Sequence, residues 1–149
     1  MKVIVELNAL QENKYDEDLL ARIARETIEA SKITNCEKKE ITISVALVDD
    51  DEIRRVNKKL RGQDNVTNVL SVGEYSDEKN IAKESQDKIF LGEVILCYNY
   101  IEESARKNGD DVNREFFTIY AHGILHLLGF AHGEEMFHLQ DGIGEKFVI

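Results

Sequence analysis

The chain has 149 residues, 42% of them hydrophobic and 32% charged, and a formal net charge of −10. That length can bury a sizeable core in one domain over residues 1–149, and no apolar run approaches the roughly eighteen residues a membrane span needs, so no membrane partner is expected. The segment Met1-Lys-Val-Ile-Val-Glu-Leu lacks the parts of a signal peptide, and Cys36 and Cys97 stand far apart outside any Cys-x-x-Cys spacing, so a cytoplasmic protein with buried free thiols is expected.

Residues 2–7 are β-branched-rich and alternating, which predicts a first strand. From Asp16 to about Lys32, Leu19, Leu20, Ile23, Ala24, Thr27 and Ile28 recur at helical spacing behind an acidic start. Residues 41–48, Ile-Thr-Ile-Ser-Val-Ala-Leu-Val, predict a second strand, and Asp49 or Asp50 caps a short helix that carries Ile53, Val56 and Leu60 and ends at Gly62. Residues 66–72 and 88–97 predict two further strands, with the polar stretch 73–87 between them expected as a mobile loop. Residues 99–107 predict a helix broken at Asn108-Gly109-Asp110. Residues 111–128 predict another helix, apolar nearly all round and therefore central. The order β-α-β-α-β-β-α-α predicts an α+β domain: a small mixed four-stranded sheet covered by helices.

Charge is unevenly spread. Arg54, Arg55, Lys58, Lys59 and Arg61 follow one another with no acid among them, whereas acids crowd 16–18, 49–52 and 110–111. Such a run is either the solvated end of a helix, where cations complement the dipole, or a patch for a polyanion on an otherwise acidic protein.

The central helix carries a polar stripe, Glu115, Thr118, His122 and His126, whose members need partners in a buried setting. Four residues along a helix return the chain to within about 40° of its starting azimuth, so His122 and His126 project side by side. Gly129 can then take a left-handed conformation, end the helix and turn His132 back toward them. Three imidazoles fill three corners of a tetrahedron and leave the fourth open, the catalytic rather than the structural arrangement. One Zn²⁺ per chain suits three imidazoles best, and another divalent transition metal is the alternative. His138 lies outside the pattern and reads as a surface histidine. Met136 reads as core packing.

The offsets of four, seven and ten match His-Glu-x-x-His-x-x-Gly-x-x-His of zinc proteases except at the glutamate, whose place Gly123 takes; without that general base a peptidase of this type is disfavoured. The same residues, His122-Gly-Ile-Leu-His-Leu-Leu-Gly-Phe-Ala-His132, resemble the signature of the YbeY-type endoribonucleases, His-Gly-x-Leu-His-Leu-x-Gly-Tyr-Asp-His. Residues 60–71, Leu-Arg-Gly-Gln-Asp-Asn-Val-Thr-Asn-Val-Leu-Ser, are similar to that family's Arg-Gly-x-Asp-x-Pro-Thr-Asp-Val-Leu-Ser segment, and residues 91–95 to its Leu-Gly-Asp-Ile strand.

The resemblance implies His122, His126 and His132 as metal ligands, Arg61 and His122 as catalytic residues, and a metal-dependent endoribonuclease of single-stranded type. Its implied work is rRNA maturation, with 16S rRNA 3′-end processing and ribosome quality control. Arg54, Arg55, Lys58, Lys59 and Arg61 then become an RNA-binding patch, and the implied partners are rRNA and the ribosome or its assembly proteins, met by a monomer. Three departures stand out: Ala131 replaces the aspartate before the last histidine, Asn68 replaces the aspartate of the Thr-Asp-Val-Leu segment, and Val72-Gly73 replaces Phe-Pro. Two other readings remain open: a metallohydrolase acting on a peptide, amide or small phosphoester, and a non-catalytic ribosome assembly factor with a structural metal.

Overall fold

The architecture follows from where the apolar faces of the strands can be covered. The structure, a computed structural model, describes residues 1–9 and 13–148. β1 (Lys2–Ala9), β2 (Glu40–Val48), β3 (Val69–Val72) and β4 (Lys88–Cys97) form one sheet in the order β1-β2-β4-β3. β1 and β4 flank β2 in parallel, and β3 closes the far edge antiparallel to β4. Along β2 the alternate residues Ile41, Ile43, Val45 and Leu47 are buried, as a strand with one covered face requires.

That covered face meets α1 (Glu17–Ser31) and α4 (Val112–Leu127). Asp16 caps α1 by accepting from the Leu19 amide at 2.8 Å, and Asp111 caps α4 by accepting from the Arg114 amide at 3.0 Å. Phe116 and Tyr120 of α4 are fully buried, the Tyr120 hydroxyl donates to the Leu20 carbonyl at 2.9 Å, and Tyr15 stacks on Phe116 with ring centres 4.1 Å apart. α3 (Tyr98–Asn108) leads from β4 back toward α4. On the opposite face of the sheet a smaller cluster of Ile53, Leu70, Ile95 and Cys97 lies under α2 (Asp50–Arg61). The expectation of a central, nearly all-apolar helix carrying the histidines holds, as does that of a four-stranded mixed sheet. Cys36 and Cys97 are buried and free.

Three expectations are corrected. The third strand covers only Val69–Val72; the residues before it instead serve α2, where the buried Asn57 amide donates to the Asn65 carbonyl and side chain at 3.1 and 2.9 Å. The stretch 73–87 is not a free loop. It carries two short 3-10 turns, Glu74–Ser76 and Ile81–Lys83, anchored by the buried side chains of Tyr75 and Ile81. Lys39, only 4% exposed, donates its ammonium group to the backbone carbonyls of Glu84 and Gln86, which satisfies a buried charge and ties this stretch to the start of β2.

The third correction concerns the C-terminal residues, where a further helix, α5 (Glu134–Phe147), follows the last histidine. It packs along α4 so closely that a Cβ added at Gly144 would lie 1.9 Å from Thr118 Oγ1. Met136 and Ile143 are buried beneath it. Of the polar stripe of α4, His122 finds a polar partner on α5, the side chain of Gln140.

Candidate metal centre

His122 and His126 stand one turn apart on α4, and Gly129, at φ +96°, provides the turn that returns His132. The three histidines each offer a ring nitrogen, and these atoms all lie within 4.8 Å of one another. The Nε2 atoms of His126 and His132 are 3.0 Å apart. Two ligands about 2.1 Å from a shared zinc-like ion at a tetrahedral angle would sit about 3.4 Å apart, so the His126–His132 pair is close to the spacing such an ion needs, with a His122 ring nitrogen within 4.8 Å of both.

The Nδ1 atom of His122 lies 2.6 Å from Oε1 of Gln140 on α5, and an amide oxygen can only accept. Nδ1 therefore carries the proton, and Nε2 is left as the ligand nitrogen. Burial lowers the His122 pKa, helped by His132 and Arg61 and opposed by the Gln140 hydrogen bond. His126 falls to about 4, through burial first, then its two neighbouring histidines. Both rings are thus neutral at physiological pH, the state a metal ligand must have. Ala131 offers no carboxylate, and Gln140 supplies the orienting contact instead.

Gly123 occupies the place of the protease glutamate. A Cβ there would lie 2.7 Å from Val94 Cγ1, and the Gly123 carbonyl already accepts from the Ser71 hydroxyl at 3.0 Å. A side chain at this position would start against the sheet, where Val94, Ser71 and Val69 leave it no room.

His126 and His132 open onto a cleft of about 570 Å³ whose lining also includes Leu60, Arg61, Val72 and Phe130. Arg61 is the last residue of α2, and Gly62 at φ +70° turns the chain away behind it. α2 has acids in its first turn and Lys58, Lys59 and Arg61 in its last, the distribution its dipole favours. The five cations divide. Arg54 pairs with Asp64 at 2.8 Å and Arg55 with Glu52 at 2.5 Å, whereas Lys58, Lys59 and Arg61 form no ion pair among the described residues. Of the five, Arg61 reaches the lining of the cleft. His138 is exposed and outside the cluster.

The family model for Endoribonuclease YbeY matches residues 6–147. The chain belongs to that family. It is 36% identical over 136 residues to Endoribonuclease YbeY of Staphylococcus saprophyticus, covering 88% of each chain, and 28% identical over 142 residues to that of Thermoanaerobacter pseudethanolicus, covering 87% of each. The solution structure of TM1509 from Thermotoga maritima is similar at a TM-score of 0.55 and 28% identity, covering 95% of this chain and 88% of that one.

Sequence reasoning missed Gln140 and Phe137, both on the helix it did not anticipate. The signal was present, since Met136, Leu139, Gln140, Ile143 and Phe147 recur at helical spacing.

Proposed function

We infer that this chain is a metal-dependent hydrolytic endoribonuclease that acts in rRNA processing. The observation that carries this reading is the meeting of His126, His132 and Arg61 on one cleft, in a chain whose relatives are named endoribonucleases. His122, His126 and His132 would hold the ion through ring nitrogens, with Zn²⁺ the best match to three imidazoles. Such an ion, when bound, supplies Lewis-acid polarisation to a phosphoryl group.

The residues of the chain do the rest. A phosphodiester gains negative charge on its non-bridging oxygens as it becomes pentavalent, and the Arg61 guanidinium can donate two N–H groups to those oxygens. Lys58 and Lys59, without ion-pair partners among the described residues, hold the flanking backbone as point charges. Gln140 keeps the His122 proton on Nδ1. The patch therefore acts through the last turn of α2 rather than through all five cations.

The finer assignment is single-stranded rRNA at the 16S 3′ end, with a part in ribosome quality control, by a cytoplasmic monomer that meets the ribosome or its assembly proteins. No described helix is long and apolar enough to cross a membrane. The reading is tested by offering ion-loaded and chelated protein structured RNA, single-stranded RNA, DNA and casein in parallel. Cleavage of single-stranded RNA alone, lost on chelation and restored by Zn²⁺, is the expected result. Cleavage of casein, or RNA cleavage indifferent to chelation, would overturn it.

A further inference from the structure

Beyond the triad and Arg61, the face around the metal centre carries an aromatic ring that the fold leaves open. Phe137 lies in the first turn of α5, directly after Met136, which is wholly buried, yet Phe137 is 43% exposed. Its ring lies nearly parallel to that of His132, at 25° with centres 6.2 Å apart, and His132 lies nearly parallel to His122, at 21° and 5.2 Å. Three rings thus form one run, His122, His132 and Phe137. Two of them are candidate ligands, and the third presents a face to solvent at its outer end.

Covering a half-exposed phenylalanine ring with another apolar surface gains free energy. Lying offset beside His132 covers only part of it. What this face fits is another flat ring. Single-stranded RNA is held largely by stacking its unpaired bases on aromatic side chains, because every base offers a π-face whatever its identity. With the scissile phosphate between the triad and Arg61, a base of a flanking nucleotide is within reach of a ring stacked 6.2 Å from that of His132.

We propose that Phe137 is a substrate-positioning residue that stacks on an unpaired nucleobase next to the scissile phosphate, a role that rests on the endoribonuclease reading above. It explains how a protein of net charge −10 can hold a polyanion at a patch of three cations, Lys58, Lys59 and Arg61, in the last turn of α2: part of the binding is apolar and independent of charge. It also favours single strands, since a base inside a duplex has no free face to offer. The competing role for the ring is a cover that keeps water from His132 and so protects metal binding.

The test compares the ion-loaded wild type with Phe137→Leu and Phe137→Trp. Leucine keeps an apolar cover over His132 and removes the π-face; tryptophan keeps both. The substrate is a short single-stranded RNA with an abasic residue placed at each position in turn. Phe137→Leu is expected to raise KM about tenfold, in the range of one lost base stack, with kcat and bound metal unchanged. Phe137→Trp is expected to keep the wild-type KM. Because the chain contains no tryptophan, the indole emission of that variant reports directly and is expected to be quenched by the intact strand. One abasic position beside the cut is expected to raise the wild-type KM by a similar factor and to add nothing in Phe137→Leu.

Wild-type KM in Phe137→Leu, or additive effects of the abasic residue and the leucine, would overturn the proposal while leaving the endoribonuclease reading in place. Loss of metal and kcat in Phe137→Leu at unchanged KM would assign the ring to covering His132. Failure of the wild type to cut or bind RNA would remove the parent reading, and this proposal with it.

Discussion

Gln140 sets the tautomer of His122: its Oε1 lies 2.6 Å from Nδ1 across the α4–α5 interface. The contact places the amide of a helix not otherwise in the metal centre in charge of which ring nitrogen faces an ion. Gln140→Leu should therefore weaken metal binding by about 10- to 100-fold, the usual cost of losing an orienting partner. Competition against a chelator of known affinity measures it. Gln140→Glu retains an acceptor and is expected to restore tight binding; if both variants bind as the wild type does, the hydrogen bond has no part in orienting the ligand.

His126→Ala should abolish stoichiometric metal, because two imidazoles without the third leave a much weaker site. His138→Ala should leave metal content unchanged. Elemental analysis of purified protein decides both. One tightly held ion per chain in His126→Ala would refute the ligand assignment.

Arg61→Ala is expected to lower RNA cleavage by about two orders of magnitude, comparable to the loss of one preorganised donor to a transition-state oxygen. Arg61 is exposed and makes no ion pair among the described residues, so its loss should shift stability by no more than about 0.5 kcal/mol. Arg61→Lys should recover little, since an ammonium cannot span two phosphoryl oxygens. A fall in melting temperature that tracks the fall in activity would make the residue structural.

The division of the basic run has its own outcome. Replacing Lys58 and Lys59 by glutamate should weaken RNA binding and reduce the slope of log K against log salt by about 1.4, near 0.7 for each single-strand phosphate contact. Arg54→Gln should change the slope less, because Asp64 already engages that guanidinium. Equal slopes in all three proteins would mean that the last turn of α2 is simply a solvated helix end.

The low pKa of His126 has a signature in stability. Its folded value of about 4 lies below the ordinary value of about 6.5, so between those pH values the unfolded chain binds more protons than the folded one. The ion-free protein should thus lose stability as pH falls through that window and gain nothing from this group above pH 7. Urea midpoints in the presence of a chelator, for the wild type and His126→Gln at several pH values, test the sign. The wild type should lose more of its midpoint on acidification than the variant does.

The clustering of the three histidines was readable before any coordinates because it is local: His122 and His126 share a helix face, and Gly129 announces the turn to His132. The sheet was readable for a similar reason, since β2 and β4 carry their own periodicity. The division of the cations was not, because the partner of Arg54 is Asp64, ten residues on and past the end of the helix. Nor was the setting of Gly123. In the sequence it is only a missing glutamate, and the contact with Val94 that gives it meaning comes from a strand. The 73–87 stretch looked free because its composition is polar; Tyr75, Ile81 and a lysine from β2's approach fix it, and no local pattern records that.

The placement of His132 beyond Gly129, between α4 and α5, means that an ion would tie the end of α4 to the entry of α5. Whatever holds His132 also holds the entry to α5, while Gln140 grips His122 from the other side. Ion occupancy and the local opening of α5 are then reciprocally linked: loading makes fraying of this helix rarer, and fraying makes release of the ion easier. The amide protons of α5 should consequently exchange with solvent faster after chelation, well before the sheet does. At an ion concentration about 100 times the dissociation constant, that linkage is worth about 2.7 kcal/mol to the closed state.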